Sequence, residues 1–243
     1  MKGISVELNA VTASFRDPGG QLYQDTIPLP PPSTLIGMAG AAMGLSFEES
    51  IRWMKENSVH IGCSGKSSGD GKDLWNYIKI KASSTKDEPV THAIVLRTFL
   101  YRLKVFAYYA CECGEKMKEL YDAFKSPAYA ITLGTSDELA LIRNVRFYDD
   151  VVPDRISDLK NTWLVGDYSR KFKLDWSLVQ RHITISLYAP IVKNLPVDYE
   201  FHEDGTRRAV KYLPLTFLEE MHILEEDVDV MKFSGDFVSM LKL

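Results

Sequence analysis

The chain has 243 residues, of which 45% are hydrophobic and 26% are charged. A chain of this length and composition can bury a sizeable core, which excludes intrinsic disorder as its main state. Its 29 basic and 33 acidic residues give a formal net charge of −4, which excludes a protein that coats nucleic acid with its whole surface. Any site for a polyanion must therefore be a local concentration of cations.

The cysteine content and the N-terminal pattern bear on the cellular compartment. Three cysteines, Cys63, Cys111 and Cys113, are too few for a disulfide framework, and the sequence has no Asn-x-Ser/Thr glycosylation acceptor. The first residues alternate in polarity, and the longest apolar stretch, residues 35–45, is interrupted by glycine. We therefore expect a cytoplasmic protein without a membrane segment.

The first predicted elements are a strand and a helix made of small residues. Alternating polarity over residues 4–8 predicts a half-buried strand. Residues 28–32 are rich in proline and must run extended, after which Ser33 or Thr34 can cap a helix that stops at Gly44. Because the helix is rich in glycine and alanine, either the sheet beneath it or a ligand backbone above it can approach closely.

A second helix and a long insertion follow. Ser46 and Glu49 form a capping box for a short helix, and a strand is predicted near residues 59–63. Residues 64–72 contain three serines, three glycines and two lysines, which predicts a mobile loop. We interpret residues 64–100 as a long insertion between two core strands, with a hairpin as one form of it. An insertion of this length is usually functional.

The next strand has two chemically different faces. Apolar residues at odd positions alternate with a basic and aromatic set, Arg102, Lys104, Phe106 and Tyr108. This alternation over eight positions predicts a core strand with one face toward the core. The other face carries two cations and two rings.

The order of the elements predicts the fold. Gly114 leads into an amphipathic helix that ends at Ser126 because Pro127 follows, and further strands are predicted at residues 129–133 and 139–147. The sequence then reads strand, helix, strand, insertion, strand, helix, strand. This is the order of a ferredoxin-like βαββαβ unit in the α+β class.

The remaining residues, 151–243, are predicted to form a β-rich C-terminal region. Residues 149–158 are acidic and turn-like, and residues 181–189 favour a strand. A hairpin with an Asp-Gly turn is predicted over residues 197–213. We therefore divide the chain into a ferredoxin-like domain, residues 1–150, followed by this region.

Several common catalytic motifs are absent from the sequence. Gly65-Lys66-Ser67 is similar to the end of a phosphate-binding loop, but His60 stands where that motif needs its first glycine. The cysteines and the five histidines show no metal-ligand spacing, and neither a nucleophile elbow nor a dinucleotide fingerprint is present. We predict no metal and no cofactor. A metal-free ribonuclease stays open, because it needs only an acid, a base and a cation.

The basic and aromatic residues of the predicted strand at residues 102–108 suggest RNA binding. Single-stranded RNA is held by cations along its phosphates and by rings stacked on its bases, and Arg102, Lys104, Phe106 and Tyr108 supply both. The alternative is that the two rings pack beneath a helix while the two cations emerge at the strand end. The insertion adds further cations, for which a solvated surface is the alternative: Lys66, Lys72, Lys79, Lys81, His92 and Arg97.

Three stretches of the chain resemble a known family. They are Ser-Phe-Arg-Asp-Pro at residues 14–18, the proline-rich run and small-residue helix at residues 27–44, and Ser-Pro-Ala-Tyr through Leu-Gly-Thr-Ser at residues 126–136. In order, spacing and position they resemble the fifth family of CRISPR-associated Cas proteins, within the repeat-associated mysterious protein superfamily. The resemblance covers essentially the whole chain.

The resemblance implies a fold and a role. It implies a ferredoxin-like domain with a thumb-like insertion and a β-rich C-terminal region. In type I effector complexes such a subunit holds the five-prime handle of the CRISPR RNA, caps the backbone of related subunits and contacts the large subunit. The residues agree with RNA binding, because a helix N-terminus with hydroxyl side chains can bind phosphate. The candidate RNA-binding residues are Arg16, Ser33, Thr34, Gly37, His92, Arg97, Arg102, Lys104, Phe106, Tyr108, Gly134 and Ser136.

One branch of this family cleaves precursor CRISPR RNA with a Tyr, Lys and His set, the tyrosine lying near the end of the first helix. Here that helix ends in Ala42-Met43-Gly44, without a tyrosine. We therefore expect a non-enzymatic subunit, and the alternative is a metal-independent endoribonuclease that uses His92.

Overall fold

The structure is a computed structural model that describes residues 1–20, 24–79, 91–181, 187 and 189–243. None of the helices in these ranges is both long and apolar enough to cross a bilayer. The fold is mixed, with many strands and few helices. The helices are α1 (Pro32–Met43), α2 (Phe47–Glu56), α3 (Gly114–Lys125) and α4 (Trp176–Val179). The strands are β1 (Lys2–Ala13), β2 (His60–Lys66), β3 (Gly69–Lys79), β4 (Thr91–Cys111), β5 (Ala140–Tyr148), β6 (Val151–Ile156), β7 (Thr162–Val165), β8 (Phe172–Leu174), β9 (Ile191–Phe201), β10 (Arg207–Leu218), β11 (His222–Leu224), β12 (Val228–Phe233), β13 (Asp236–Val238) and β14 (Leu241–Lys242).

A large antiparallel sheet organises the molecule. Its strand order is β5-β1-β4-β2-β7-β10-β9, with β3 paired to β4 and β14 paired to β2. One face carries the alternating apolar residues of β1 and β4, and α1, α2 and α3 pack over it to form the main core. Strands after residue 150 continue this same sheet, because β7 pairs with β2 at Ser64.

The predicted insertion forms a long hairpin. β2 and β3 pair with the same edge of β4 in one continuous register, from His60 opposite Ala110 to Lys79 opposite Thr91. The prediction of a mobile loop at residues 64–72 is therefore wrong: strand covers all but two of these residues. Lys81 and most of the polar break before residue 91 lie outside the described residues. We call β3 together with residues 91–101 of β4 the arm.

A break in strand geometry separates the arm from the core sheet. Arg102 has a φ of 49°, which is uncommon for a residue with a side chain. The pairing of β1 with β4 passes from Ala10–Leu103 to Thr12–Tyr101, so that Arg102 stands outside the regular ladder. This interruption of the ladder coincides with the base of the arm.

The helices follow the sequence signals closely. α1 begins two or three residues earlier than predicted, at Pro32 with Pro31 as its N-cap, because proline suits the first turn of a helix and needs no hydrogen-bond acceptor there. Ser33 and Thr34 therefore lie inside the first turn rather than capping it. The end at Gly44, with a φ of 76°, and the capping box that opens α2 are confirmed.

Some of the C-terminal strands cover part of the other face of the sheet. β6, β12 and β13 form a small sheet whose Phe233 and Val238 pack on Tyr108. The turn-like prediction for residues 149–158 is wrong, since β6 pairs with β12 throughout its length. The strand predicted at residues 129–133 is absent from the described structure, where only Thr132 makes an isolated bridge. Most of the strand predicted at residues 181–189 lies outside the described residues.

Candidate nucleic-acid interface

A cleft of about 390 Å³ lies where α1, the end of β1 and the arm meet. It gathers residues that are far apart in sequence: the segment after β1, the first turn of α1, the base of the arm and the loop after Leu133. Five of the predicted site residues line it, namely Arg16, Ser33, Thr34, Arg97 and Gly134. The cleft is therefore the first candidate for the interface.

The α1 side of the cleft suits an anion. Pro31 is the N-cap and has no side-chain cap bond, and no acidic residue occupies the first turn. The hydroxyl groups of Ser33 and Thr34 border the cleft. Arg16 is exposed and has no ion pair among the described residues. A phosphate here would meet a helix N-terminus, two hydroxyls and a guanidinium, and the exposed Asp25 carboxylate also borders the cleft.

The arm side of the cleft has the opposite character. Arg97 is only 6% exposed, and its guanidinium makes two hydrogen bonds to Asp73, at 3.1 and 2.7 Å. It also lies 3.9 Å from Asp137 and 3.6 Å from Glu138. The hydrogen bonds to Asp73 raise the pKa of Arg97 and lower that of Asp73. Arg97 is thus held by three carboxylates and is not the exposed cation that the sequence suggested.

Arg97 instead orients an aromatic ring. Its guanidinium carbon lies 4.3 Å from the centre of the Trp75 ring, in a cation–π arrangement. Trp75 borders the cleft and was not among the predicted site residues. Two sequence signals would have identified it: a tryptophan in a polar insertion, and its place two residues from Asp73 on the same strand face.

Gly134 has a structural explanation. Its φ is 129°, and a Cβ there would overlap the backbone oxygen of Ser14 and a carboxylate oxygen of Glu138. That carboxylate is buried and accepts hydrogen bonds from Ser14 and Thr135, while its other oxygen, Oε1, has no hydrogen-bond partner among the described residues. Glycine is thus needed for the loop to approach β1.

The basic and aromatic face of β4 is only partly exposed. Arg102 and Lys104 are exposed, although Lys104 pairs with Glu7 at 2.8 Å and lies over the ring of Phe106. Phe106 is half-buried. Tyr108 is 2% exposed, because the β12–β13 hairpin covers it, and its hydroxyl lies 3.3 Å from Asp236. Burial raises its pKa. The prediction that Tyr108 presents a free ring is wrong, and the cover is a hairpin instead of a helix.

The other predicted residues lie apart from one another. His92 is exposed on the arm, with Nδ1 3.3 Å from the Asn76 side-chain oxygen. Ser136 is exposed in the loop after Gly134. Gly37 is half-buried one turn after Ser33, and a Cβ there would meet no atom within 4 Å. The described residues contain no cluster of three or more histidine, cysteine or acidic side chains fit to hold a metal ion.

One family model matches most of the chain, and solved structures share its fold. Residues 3–204 match the model of the family described as CRISPR-associated protein (Cas_Cas5). A crystal structure of a CRISPR protein from Archaeoglobus fulgidus is similar over 100% of both chains, with a TM-score of 0.56 and 14% identity. A chain of a CRISPR RNA-guided surveillance complex is similar over 92% of this chain and 90% of that chain, with a TM-score of 0.56 and 13% identity.

Two further comparisons add no information about the family. A crystal structure of a Cas protein is similar over 56% of this chain and 57% of its own, with a TM-score of 0.37 and 17% identity. No curated protein matches the chain. At such identities, the two structures with a TM-score of 0.56 show likeness of fold.

Proposed function

Because the chain belongs to the CRISPR-associated protein (Cas_Cas5) family, we propose that this effector subunit holds the five-prime repeat handle of a CRISPR RNA as a single strand in the cleft between α1 and the arm. The handle binds by backbone and stacking contacts. The subunit is not an enzyme in this proposal.

The observation that carries the proposal is that the two sides of the cleft differ in chemistry. The α1 side offers a helix N-terminus and Arg16, both of which favour phosphate. The arm side offers the Trp75 ring backed by Arg97, with Asp73, Asp137 and Glu138 around that guanidinium. Since those carboxylates repel phosphate, an RNA strand is oriented with its backbone toward α1 and a base toward Trp75.

A more specific proposal concerns the topology of the N-terminal residues. We infer that β1, β2, β4 and β5 with α1 and α3 form a ferredoxin-like βαββαβ unit, residues 1–150. The strand order β5-β1-β4-β2 supports it, because the fourth, first, third and second strands of such a unit lie side by side in that order. The arm then corresponds to the thumb, and residues 151–243 form the C-terminal region.

The partners proposed are the backbone subunit and the large subunit of a type I complex. The likeness of fold to a chain of a CRISPR RNA-guided surveillance complex supports membership in such an assembly. In this proposal the chain caps the row of backbone subunits while the RNA handle lies in the cleft.

RNA binding is tested with purified protein and a labelled repeat-handle RNA. Trp75→Ala should weaken affinity roughly 5-fold or more, because a stacked base contributes about 1–3 kcal/mol. Leu74→Ala is the matched control, since Leu74 is 70% exposed on the opposite face of the arm. Equal losses for the two variants would refute the stacking role of Trp75.

Phosphate binding on the α1 side of the cleft is tested separately, by the salt dependence of RNA affinity. Arg16→Glu should weaken binding and lower the slope of log affinity against log salt by about one for each phosphate that is no longer neutralised. Arg170→Glu makes the same charge change at an exposed position that does not line the cleft, and it should leave the slope unchanged. A slope that responds equally to both would show only a general charge effect.

The nuclease alternative is tested by incubating the protein with repeat RNA in EDTA. We expect no cleavage, because the described side chain in contact with His92 is Asn76, which is neither an acid nor a base. A single cut that His92→Ala abolishes would replace the non-enzymatic proposal.

A further inference from the structure

The two edge strands of the large sheet differ in how readily they could pair with an added strand. β9 forms one edge and contains Pro196, and its pairing with β10 has two register shifts. Both features discourage the addition of another strand. β5 forms the other edge and contains no proline. Its outer side pairs with no strand in the part of the chain that the structure describes.

The outer side of β5 is occupied by the preceding loop at its first residue and is open from Ile142 onward among the described residues. The N–H of Ala140 points away from β1 and donates to the carbonyl of Ile131 at 2.9 Å. Because alternate residues of a strand share their hydrogen-bonding direction, the N–H of Ile142 also points outward. The register shift with β1 comes after Ile142, at Arg143, so the shift leaves this direction intact.

A groove flanks β5 on each side. One has a volume of about 540 Å³ and is bounded by the end of α3 and the following loop, including Phe124 and Ile131. The other has a volume of about 530 Å³ and is bounded by β1 and β4, including Val11 and Arg102. Residues at the start of β5 border both grooves. An added strand would therefore place alternate side chains in one groove and then the other.

The two grooves share one sign of charge. Among the described residues that line them, Arg102, Lys104, Lys125 and Arg143 are cationic and none is acidic. Lys104 is paired with Glu7, whereas the other three make no ion pair with a described residue. Apolar side chains are exposed beside them: Val11 is 70%, Leu139 62% and Leu141 53% exposed. An exposed apolar patch rimmed by cations is typical of an interaction surface.

We propose that β5 accepts an extended segment of a partner protein as an added strand, and that this segment carries both acidic and apolar side chains. The open N–H of Ile142 and the two grooves fit a peptide backbone, whose donors and acceptors alternate at the strand spacing. The exposed apolar groups here are aliphatic, whereas unpaired RNA bases prefer aromatic surfaces. This proposal rests on membership in an effector complex and is independent of RNA binding in the cleft.

The first test uses the assembled complex. A photo-crosslinking amino acid, p-benzoylphenylalanine, replaces Leu141, and the same substitution at Val210, which is 47% exposed, is the control. We expect position 141 to form an adduct with one acidic and apolar segment of a partner subunit, and Arg143→Glu to reduce its yield several-fold. An adduct with RNA alone, or no adduct, would overturn the proposal.

The second test distinguishes strand addition from simple proximity. Amide hydrogen exchange is compared between the isolated chain and the complex. The N–H of Ile142 should exchange at least about tenfold more slowly in the complex, since it would gain a backbone acceptor. A synthetic peptide with the crosslinked sequence should give the same protection, and its scrambled version should not. Unchanged exchange at Ile142 would reject strand addition even if a crosslink forms.

Discussion

Two glycines of α1 occupy different environments. A Cβ at Gly40 would overlap the hydroxyl of Ser50 on α2, and that hydroxyl is held by a 2.6 Å hydrogen bond to the Ser46 carbonyl. A Cβ at Gly37 would meet no atom within 4 Å. Close packing of α1 on α2 therefore explains Gly40 and does not explain Gly37. The approach of a ligand backbone at Gly37, which lies one turn after Ser33, stays a prediction.

This difference gives a stability prediction at single residues. Gly40→Ala should lower the free energy of unfolding by about 1–3 kcal/mol, because the new methyl group overfills the contact with Ser50. Gly37→Ala should raise it by up to about 1 kcal/mol, since alanine favours a helix over glycine. Urea unfolding of the two variants measures both. A destabilised Gly37→Ala would contradict the open space at that position.

The arm is anchored to the rest of the protein by one ion-pair cluster. Arg97 on β4 bonds Asp73 on β3 and approaches Glu138 in the loop that follows Gly134. Gln24 adds backbone hydrogen bonds to Leu96 and Thr98 at the same level. The base of the arm is therefore fixed by charge and backbone contacts more than by an apolar core.

The stability of the arm itself should depend on pH, because Asp73 on β3 and Arg97 on β4 join its two strands. Arg97 holds the pKa of Asp73 below its usual value, so Asp73 stabilises the folded arm above the unfolded pKa of about 3.9. This contribution is lost as pH falls through the folded pKa. We expect exchange protection factors of the arm amides, relative to those of β1, to drop below about pH 4. Asp73→Asn should remove most of that pH dependence, and an unchanged profile would contradict the role of the pair.

At the scale of the whole molecule, the last 39 residues complete the sheet. The family match ends at residue 204, yet β10 and β14 pair with β7, β9 and β2. β12 and β13 close the far face over Tyr108. The C-terminal strands therefore belong to the same packed unit as the N-terminal ones, although the division at residue 150 stays a prediction.

A single substitution tests whether the C-terminal and N-terminal strands unfold together. Phe233 is fully buried and packs on Tyr108 and Tyr148, with ring centres 5.0 and 5.4 Å apart. Phe233→Ala should lower the free energy of unfolding by about 3–5 kcal/mol. Because the cluster joins both ends of the chain, the variant should unfold in one transition at a lower denaturant concentration. Two separate transitions would show that the C-terminal strands unfold on their own.

The sequence by itself determined those features that local physics controls. The period-two strands β1, β4 and β9, the capping box of α2 and the helix ends at Gly44 and before Pro127 follow from alternation, capping and proline chemistry. The family resemblance also came from the sequence, because its motifs are contiguous. The strand at β6 was missed, because Pro153, Asp154 and the flanking aspartates Asp149, Asp150 and Asp158 are typical of turns.

Only the tertiary structure decided which predicted site residues are accessible. The side chains of Arg97 and Tyr108 are of types that bind RNA. However, Glu138 lies close to Arg97, and Phe233 covers Tyr108. Trp75 became a candidate because the arm places it beside α1. Strand alternation determines the direction of a side chain, whereas its exposure depends on elements more than a hundred residues away.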